Sequence, residues 1–331
     1  MLIVFLRLTS ANVEDLFQME DDYGFFIDFY GVNVMQNNRN ILITGANGLI
    51  GSALYPELSK RGYTIRTLSR NHGDFKWDLS NHYIDTNTLN GIDCVIHLAG
   101  ETIAQRWTSA AKERILLSRI KSTQLLTKEL LRQNRPIKLI CASGINYYGY
   151  NTLDPVTEQS APGNGFLAHV CIEWERSAAG SKSAEIREHT TFIRTGVVLT
   201  PKGGAMKKML PPFKAGVGGH IGSGRQIMSW ISLEDIVRIY IRAVEDQTLT
   251  GAINAVTPNP VSNSEFTAEL GKVLNRPTIL PFPEFMVKTL FGEMGRETIL
   301  SNLNVVPEKL QQCGFKWEHA DINSMLNALL N

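Results

Sequence analysis

The sequence predicts an α/β fold, a doubly wound parallel sheet carrying a smaller C-terminal lobe. Three observations predict it. Short β-branched runs alternate with segments of helical period through residue 200. A glycine-rich turn joins the first run to the first helical segment. After Leu199 the alternation gives way to Gly, Pro and Lys-rich loops. The chain has 331 residues, 43% hydrophobic and 20% charged, enough for a sizeable core and unlike a disordered, coiled-coil or fibrous protein.

The elements follow in order. Asn40-Ile41-Leu42-Ile43-Thr44 is an apolar strand that stops in glycines. A helix from Gly48 to Arg61 ends at Gly62, a fitting stop. Thr64 to Leu68 and Phe75 to Leu79 read as the next strands, and Asp93 to Leu98 as a fourth, buried on both faces. An amphipathic helix spans Thr108 to Gln133, a strand Ile137 to Ser143, a helix Gly165 to Gly180, and a sixth strand Thr191 to Arg194. Right-handed crossovers between parallel strands then wind the sheet doubly. Beyond Pro201 a helix is expected over Leu233 to Glu245, with short helices and the prolines Pro277, Pro281 and Pro283 after it. The expected organisation is an extension at 1–34, a nucleotide-binding domain at 35–200, and a mixed lobe at 201–331 with some elements returning to the sheet.

Residues 1–34 hold six acids and one base, Arg7, and Met35 follows them. They are expected to be a dispensable extension, with a docking segment built on Phe25, Phe26, Phe29 and Tyr30 as the alternative. The formal net charge is +1 with no long single-sign run, which argues against a nucleic-acid partner. No apolar stretch approaches the ~18 residues of a membrane span. Cys94, Cys141, Cys171 and Cys313 are far apart in sequence, which argues against a disulfide framework and a metal site and fits a reducing cytoplasm. A monomer or homodimer acting on a small molecule is the expected form.

Gly45-Ala46-Asn47-Gly48-Leu49-Ile50-Gly51 is a G-x-x-G-x-x-G turn between strand and helix. The spacing suits a dinucleotide pyrophosphate. One glycine makes the turn, one admits the phosphates to the backbone, and one lets helix and strand pack closely, while the helix N-terminus supplies free N–H groups. Gly45, Asn47, Gly48, Leu49, Ile50 and Gly51 are therefore the candidate pyrophosphate contacts of a Rossmann-type sheet. At the end of the second strand stand Ser69 and Arg70, with no acid before Asp74. A hydroxyl and a guanidinium suit a ribose 2′-phosphate, which points to NADP(H) over NAD(H). Asp78 is a candidate for the adenine edge, or a plain strand-end acid.

These residues bring a family into view. The chain resembles the extended, atypical short-chain dehydrogenase/reductases, and within them the "epimerase family" proteins related to nucleoside-diphosphate-sugar epimerases and sometimes labelled cell-division inhibitor-like. The resemblance covers about residues 40–330. It rests on Gly45 to Gly51, Leu98-Ala99-Gly100-Glu101, Ser118-Arg119-Ile120, Tyr147-Tyr148-Gly149, Trp174-Glu175, Arg194-Thr195-Gly196-Val197-Val198-Leu199, Gly218 to Gln226, and Phe291-Gly292-Glu293. It implies that Leu98, Ala99, Gly100, Arg119 and Val198 line the nicotinamide half, with Arg114 assisting. Arg114 and Arg119 are otherwise helix-surface charges.

Reductases of this kind use a Tyr-x-x-x-Lys dyad, in which the lysine tunes the tyrosine for proton transfer. None of the nine tyrosines here has a lysine four residues on. Aligning Glu175 with the family's helix acid places Leu167 and Cys171 in the dyad positions. Cys171 reads as a packing cysteine or a thiol acid, and His169 with Glu173 as a surface pair or an acid–base pair. Ser143 and Tyr148 are the substitute catalytic candidates, with Tyr147 beside them, and packing is the alternative for either tyrosine. His97 reads as a core histidine. Arg225 and Trp230 are candidates for a substrate wall within Gly218 to Trp230. Two functional readings stay open: an NADP(H)-dependent oxidoreductase or epimerase-like enzyme with an altered proton donor, and an NADP(H)-binding regulatory protein without catalysis.

Overall fold

The computed structural model describes residues 39–152, 154–179 and 188–330. The expected extension at 1–34 lies outside them. The strands are β1 (Asn40–Thr44), β2 (Thr64–Ser69), β3 (Phe75–Asp78), β4 (Tyr83–Ile84), β5 (Cys94–His97), β6 (Lys138–Gly144), β7 (Thr190–Thr195), β8 (Val197–Leu199), β9 (Ile227–Met228), β10 (Trp230–Ser232), β11 (Gly251–Ala255) and β12 (Val261–Ser262). The helices are α1 (Leu49–Lys60), α2 (Ser109–Leu130), α3 (Phe166–Ala179), α4 (Gly204–Lys214), α5 (Leu233–Glu245), α6 (Asn263–Leu274), α7 (Glu284–Glu297), α8 (Glu308–Gln312) and α9 (Ile322–Leu330).

Eight strands form one sheet in the order β11-β7-β6-β5-β1-β2-β3-β4. The pairs are parallel except β3 with β4. The chain runs outward from β1 to β2 and then returns to β5 on the other side of β1. That reversal opens a crevice at the carboxyl ends of β1 and β5, where dinucleotides bind in such sheets.

Burial on both faces explains why β1 reads as a continuous apolar run. Ile41 and Ile43 pack with Leu54 and Leu58 of α1 and Ile236 and Tyr240 of α5. Leu42 faces the other way, with Val95, Leu126, Leu139 and Trp174. The expected 201–331 lobe is interrupted by the sheet: α5 covers one sheet face and β11 pairs with β7. What remains packs around Leu199, Met206, Phe213, Trp230, Phe266, Met325 and Leu326.

Trp230 is fully buried in that core, with its indole N–H donating to the Asn259 carbonyl at 3.1 Å. This corrects the expectation that it lines a substrate wall, because no face of the ring reaches solvent. The four cysteines are unpaired. Among the described residues no helix is long and apolar enough to cross a membrane.

Candidate functional site

The glycine turn has the backbone that its sequence requires. Gly45 adopts φ 71°, and a Cβ there would lie 2.8 Å from the Leu98 carbonyl carbon. A Cβ on Gly51 would lie 2.4 Å from the Gly45 carbonyl oxygen. Gly48 caps α1 with no side-chain hydrogen bond, and Asn47 and Gly48 are exposed. By contrast, Thr108, Ser232 and Ser262 cap α2, α5 and α6 through their hydroxyls. Among the described residues, the first N–H groups of α1 therefore have no protein acceptor, at the positive end of the helix dipole. Leu49 lies against Gly203, and the Val198 carbonyl lies against Gly204, so the end of β8 reaches the start of α1. A pyrophosphate fits this cradle.

At the end of β2, Arg70 is exposed, and Ser69 Oγ accepts the His72 N–H at 2.9 Å. Asp74, the nearest acid, is occupied. It accepts from the Thr67 N–H at 2.7 Å and the Thr67 hydroxyl at 2.9 Å, with Arg66 3.8 Å away. A ribose 2′-group would thus meet a free guanidinium and no free carboxylate. Asp78 closes the turn after β3, taking hydrogen bonds from Asn81 and Ser80 that hold its carboxyl below the usual range.

Across the crevice, Leu98, Ala99 and Gly100 continue from β5. Arg119 of α2 lies against Gly100, where an added Cβ would be 3.0 Å from the guanidinium carbon. One terminal nitrogen of Arg119 donates to the Glu101 carbonyl at 2.9 Å and the Ile115 carbonyl at 3.0 Å. The guanidinium also stacks 4.9 Å over the Trp174 ring. Burial lowers its pKa. Arg114 stays exposed and, among the described residues, reaches Gln105 at 3.4 Å. His97 is a buried core histidine that contacts the hydroxyls of Thr44 at 2.7 Å, Thr123 at 3.0 Å and Ser122 at 3.1 Å. Burial, with Arg119 nearby, lowers its pKa to about 3.

Beyond Gly100 the carboxyl edge is closed by a buried polar row. Ser143, Arg194 and Asn254 stand at matching register on β6, β7 and β11. Arg194 forks onto Glu175 of α3 with two 2.8 Å hydrogen bonds. Burial alone would lower the Arg194 pKa, but the bonded Glu175 carboxylate outweighs it and holds the guanidinium charged. Ser143 Oγ donates to Glu175 at 2.7 Å. The Tyr148 hydroxyl accepts from Arg194 at 2.8 Å and donates to Asn254 Oδ1 at 2.7 Å, and burial raises its pKa. Tyr148 is only 4% exposed, and its one proton is given to Asn254, as the packing alternative requires.

Tyr147 differs. It is half-buried, carries the Arg194 guanidinium 3.4 Å over its ring, and makes no hydroxyl hydrogen bond among the described residues. Cys171 is buried, and burial followed by Glu175 pushes its thiol up to about 11. Glu173 pairs with Arg176 and not with His169. Leu167 is buried. Arg225 is exposed at the rim.

Sequence reading missed two residues that close the site. The Glu297 carboxylate accepts the Phe166 and Leu167 N–H groups, each at 2.9 Å, and so caps α3 from 130 residues away. Lys112 pairs with Glu293 at 2.7 Å and sits 4.7 Å over the Phe166 ring. The only signal was the Phe291-Gly292-Glu293 motif, in which Gly292 breaks α7 at φ 57° and turns Glu293 toward α2. No local pattern marked Glu297.

The family model for the NAD dependent epimerase/dehydratase family matches residues 41–255. The chain belongs to this family. A second model, a domain of unknown function, matches residues 282–329, the span of α7 to α9. The chain is 38% identical over 295 residues to an epimerase family protein of Mycobacterium bovis, covering 87% of this chain and 97% of that one. It is 31% identical to human epimerase family protein SDR39U1, covering 88% and 99%. The crystal structure of that human protein with NADPH superimposes with a TM-score of 0.80 at 30% identity, covering 88% of this chain and 98% of the other. A dTDP-4-dehydrorhamnose reductase from Bacillus anthracis in complex with NADP shares the fold, with a TM-score of 0.71 at 16% identity. The family and its Rossmann-like, mostly parallel sheet are thereby established for this chain.

Proposed function

We propose that this chain is an NADP(H)-binding oxidoreductase of the epimerase type acting on a small molecule. The observation that carries the cofactor is the α1 turn with the end of β2: an uncapped helix start and an exposed Arg70, with the first acid after it, Asp74, tied to Thr67. When bound, the cofactor supplies hydride chemistry over the carboxyl edge of β5 and β6. Gly45, Asn47, Gly48, Leu49, Ile50 and Gly51 hold its pyrophosphate, Ser69 and Arg70 its 2′-phosphate, and Leu98, Ala99, Gly100, Arg119 and Val198 its nicotinamide half. The relative with a bound NADPH supports this reading.

The reaction rests on Tyr147 as the proton-carrying group, because its hydroxyl, unlike that of Tyr148, makes no hydrogen bond among the described residues. Ser143, whose proton goes to Glu175, orients a substrate oxygen through its lone pairs. Arg225 meets an anionic substrate group at the rim. A second reading, a regulatory protein that responds to NADP(H) without turnover, draws support from the same closed row, since Ser143 and Tyr148 both bond inward. Following reduced-cofactor absorbance against a panel of aldehydes, ketones and nucleotide sugars decides between them. Turnover that falls in Tyr147→Phe, with NADPH affinity kept, supports the enzyme. No turnover across the panel, with tight NADPH binding, favours the regulator.

A further inference from the structure

Arg119 is a cation fixed in place with no carboxylate bonded to it among the described residues. Two carbonyls, the Trp174 ring and the Gly100 backbone hold its guanidinium. Among the described residues no carboxylate lies within ion-pair distance of it, and Nε and the second terminal nitrogen make no hydrogen bond. Glu175 is taken by Arg194 and Glu293 by Lys112, while Glu101, bonded at 3.2 Å by the neutral Gln105 amide, keeps its charge and acts on Arg119 from beyond ion-pair distance, more weakly than burial does. The Cys171 thiol stays protonated near neutral pH, its pKa being held at about 11 by burial and Glu175. His97 is neutral. An unpaired charge in a partly buried position acts strongly on whatever charge comes beside it.

The topology says which part of a dinucleotide comes there. With the pyrophosphate on the Gly45 to Gly51 turn and the 2′-phosphate on Arg70 at the β2 side, the other half runs over β5 and β6, past Gly100. This rests on the cofactor reading above. The oxidised nicotinamide ring bears a positive charge, and the reduced ring bears none, while the phosphates are the same in both. We infer that Arg119 sets the redox selectivity of the site, so that the chain holds NADPH in preference to NADP+. Its fixed charge repels the oxidised ring and leaves the reduced ring untouched. Arg70 contributes nothing to that choice, because the 2′-phosphate it meets is common to both forms. The same charge lets the chain sense the ratio of reduced to oxidised cofactor, whether or not it turns over a substrate.

The test is calorimetric titration of the full chain with NADPH and with NADP+. Wild type should bind NADPH about ten- to a hundredfold more tightly, the range for one added charge at several ångströms. Arg119→Gln, which keeps donors for the two carbonyls, should bring the two affinities within about threefold, mainly by tightening NADP+. Arg119→Lys keeps the charge and should keep the preference, a result that a purely structural role would not give. Arg70→Ala should weaken both forms by one factor and leave their ratio unchanged. Equal affinities in wild type overturn the inference, as does a preference that survives Arg119→Gln. If wild type binds neither form, the cofactor reading itself fails. If both bind tightly and equally, that reading stands and only the role of Arg119 falls.

Discussion

The two ends of the crevice are built in opposite ways. At β1 and α1 the chain leaves backbone donors open and bare glycine against the Leu98 strand. At β6, β7 and β11 every polar group of the row finds a protein partner: Ser143 on Glu175, Glu175 on Arg194, Arg194 on Tyr148, Tyr148 on Asn254. The open end is made of main chain and suits a ligand with fixed negative charge. The closed end is made of side chains that satisfy one another, so it gives rigidity to the edge where a substrate would lie. On α3 this chain carries Cys171, and the cations at this edge, Arg119 and Arg194, come from α2 and β7. The dyad is therefore absent in sequence, yet the edge still carries positive charge.

The largest effect should come from cutting the closed end. Arg194→Met strands the buried Glu175 carboxylate and should cost about 3–5 kcal/mol of stability in chemical denaturation. A loss below about 1 kcal/mol would show that water reaches the pair and that the two ends are less different than described.

The next concerns His97, which joins β1 to α2 beneath the crevice. Its folded pKa is about 3, against an ordinary histidine value of 6.5, so below pH 6.5 the unfolded chain takes up a proton that the folded chain refuses. Its contribution to stability is full above pH 6.5 and falls as pH drops toward 3, by up to about 1.4 kcal/mol per pH unit. Denaturation midpoints of wild type and His97→Gln across that window should differ in slope by about one proton. Parallel slopes would mean that the imidazole is protonated in the folded state.

At the open end, Arg70→Ala should weaken NADPH about ten- to hundredfold, the value of roughly 1.5–3 kcal/mol for a charge-assisted contact, and leave NADH unchanged. Equal affinity of wild type for both cofactors would remove Arg70 from the site.

The smallest pair sets Tyr148→Phe against Tyr147→Phe. The first leaves Arg194 and Asn254 each short of a partner and should lower stability by about 1–2 kcal/mol without touching NADPH affinity. The second should change stability by less than about 0.5 kcal/mol. Similar losses for both would place Tyr147 in the network too.

The glycine turn was legible because its requirement is local. A φ of 71° and a carbonyl within reach of a Cβ leave only glycine, and a strand followed by a helix supplies the rest. The same holds for one helix in particular: that expected over Leu233–Glu245 has those ends in the structure. His97 was legible as core because a lone histidine in Cys94-Val95-Ile96-His97 is flanked by apolar residues on both faces. The burial of Trp230 was not legible, because the glycine-rich segment Gly218 to Gly224, which reads as a surface loop, precedes it closely. Only the packing of α4, α6 and α9 places the indole inside.

By itself the sequence determined the alternation of strands and helices, the glycine turn between β1 and α1, and the absence of the tyrosine–lysine pair. All of these depend on residues near one another in the chain. The tertiary structure decided what fills the gap. Ser143, Arg194 and Asn254 come from three separate strands, and they meet only because β6, β7 and β11 pair in register. Glu297 reaches α3 across 130 residues, and Arg119 meets Gly100 because α2 packs back over the end of β5. Whether a hydroxyl is free or bound inward depends on such long-range partners, and no spacing along the chain encodes them.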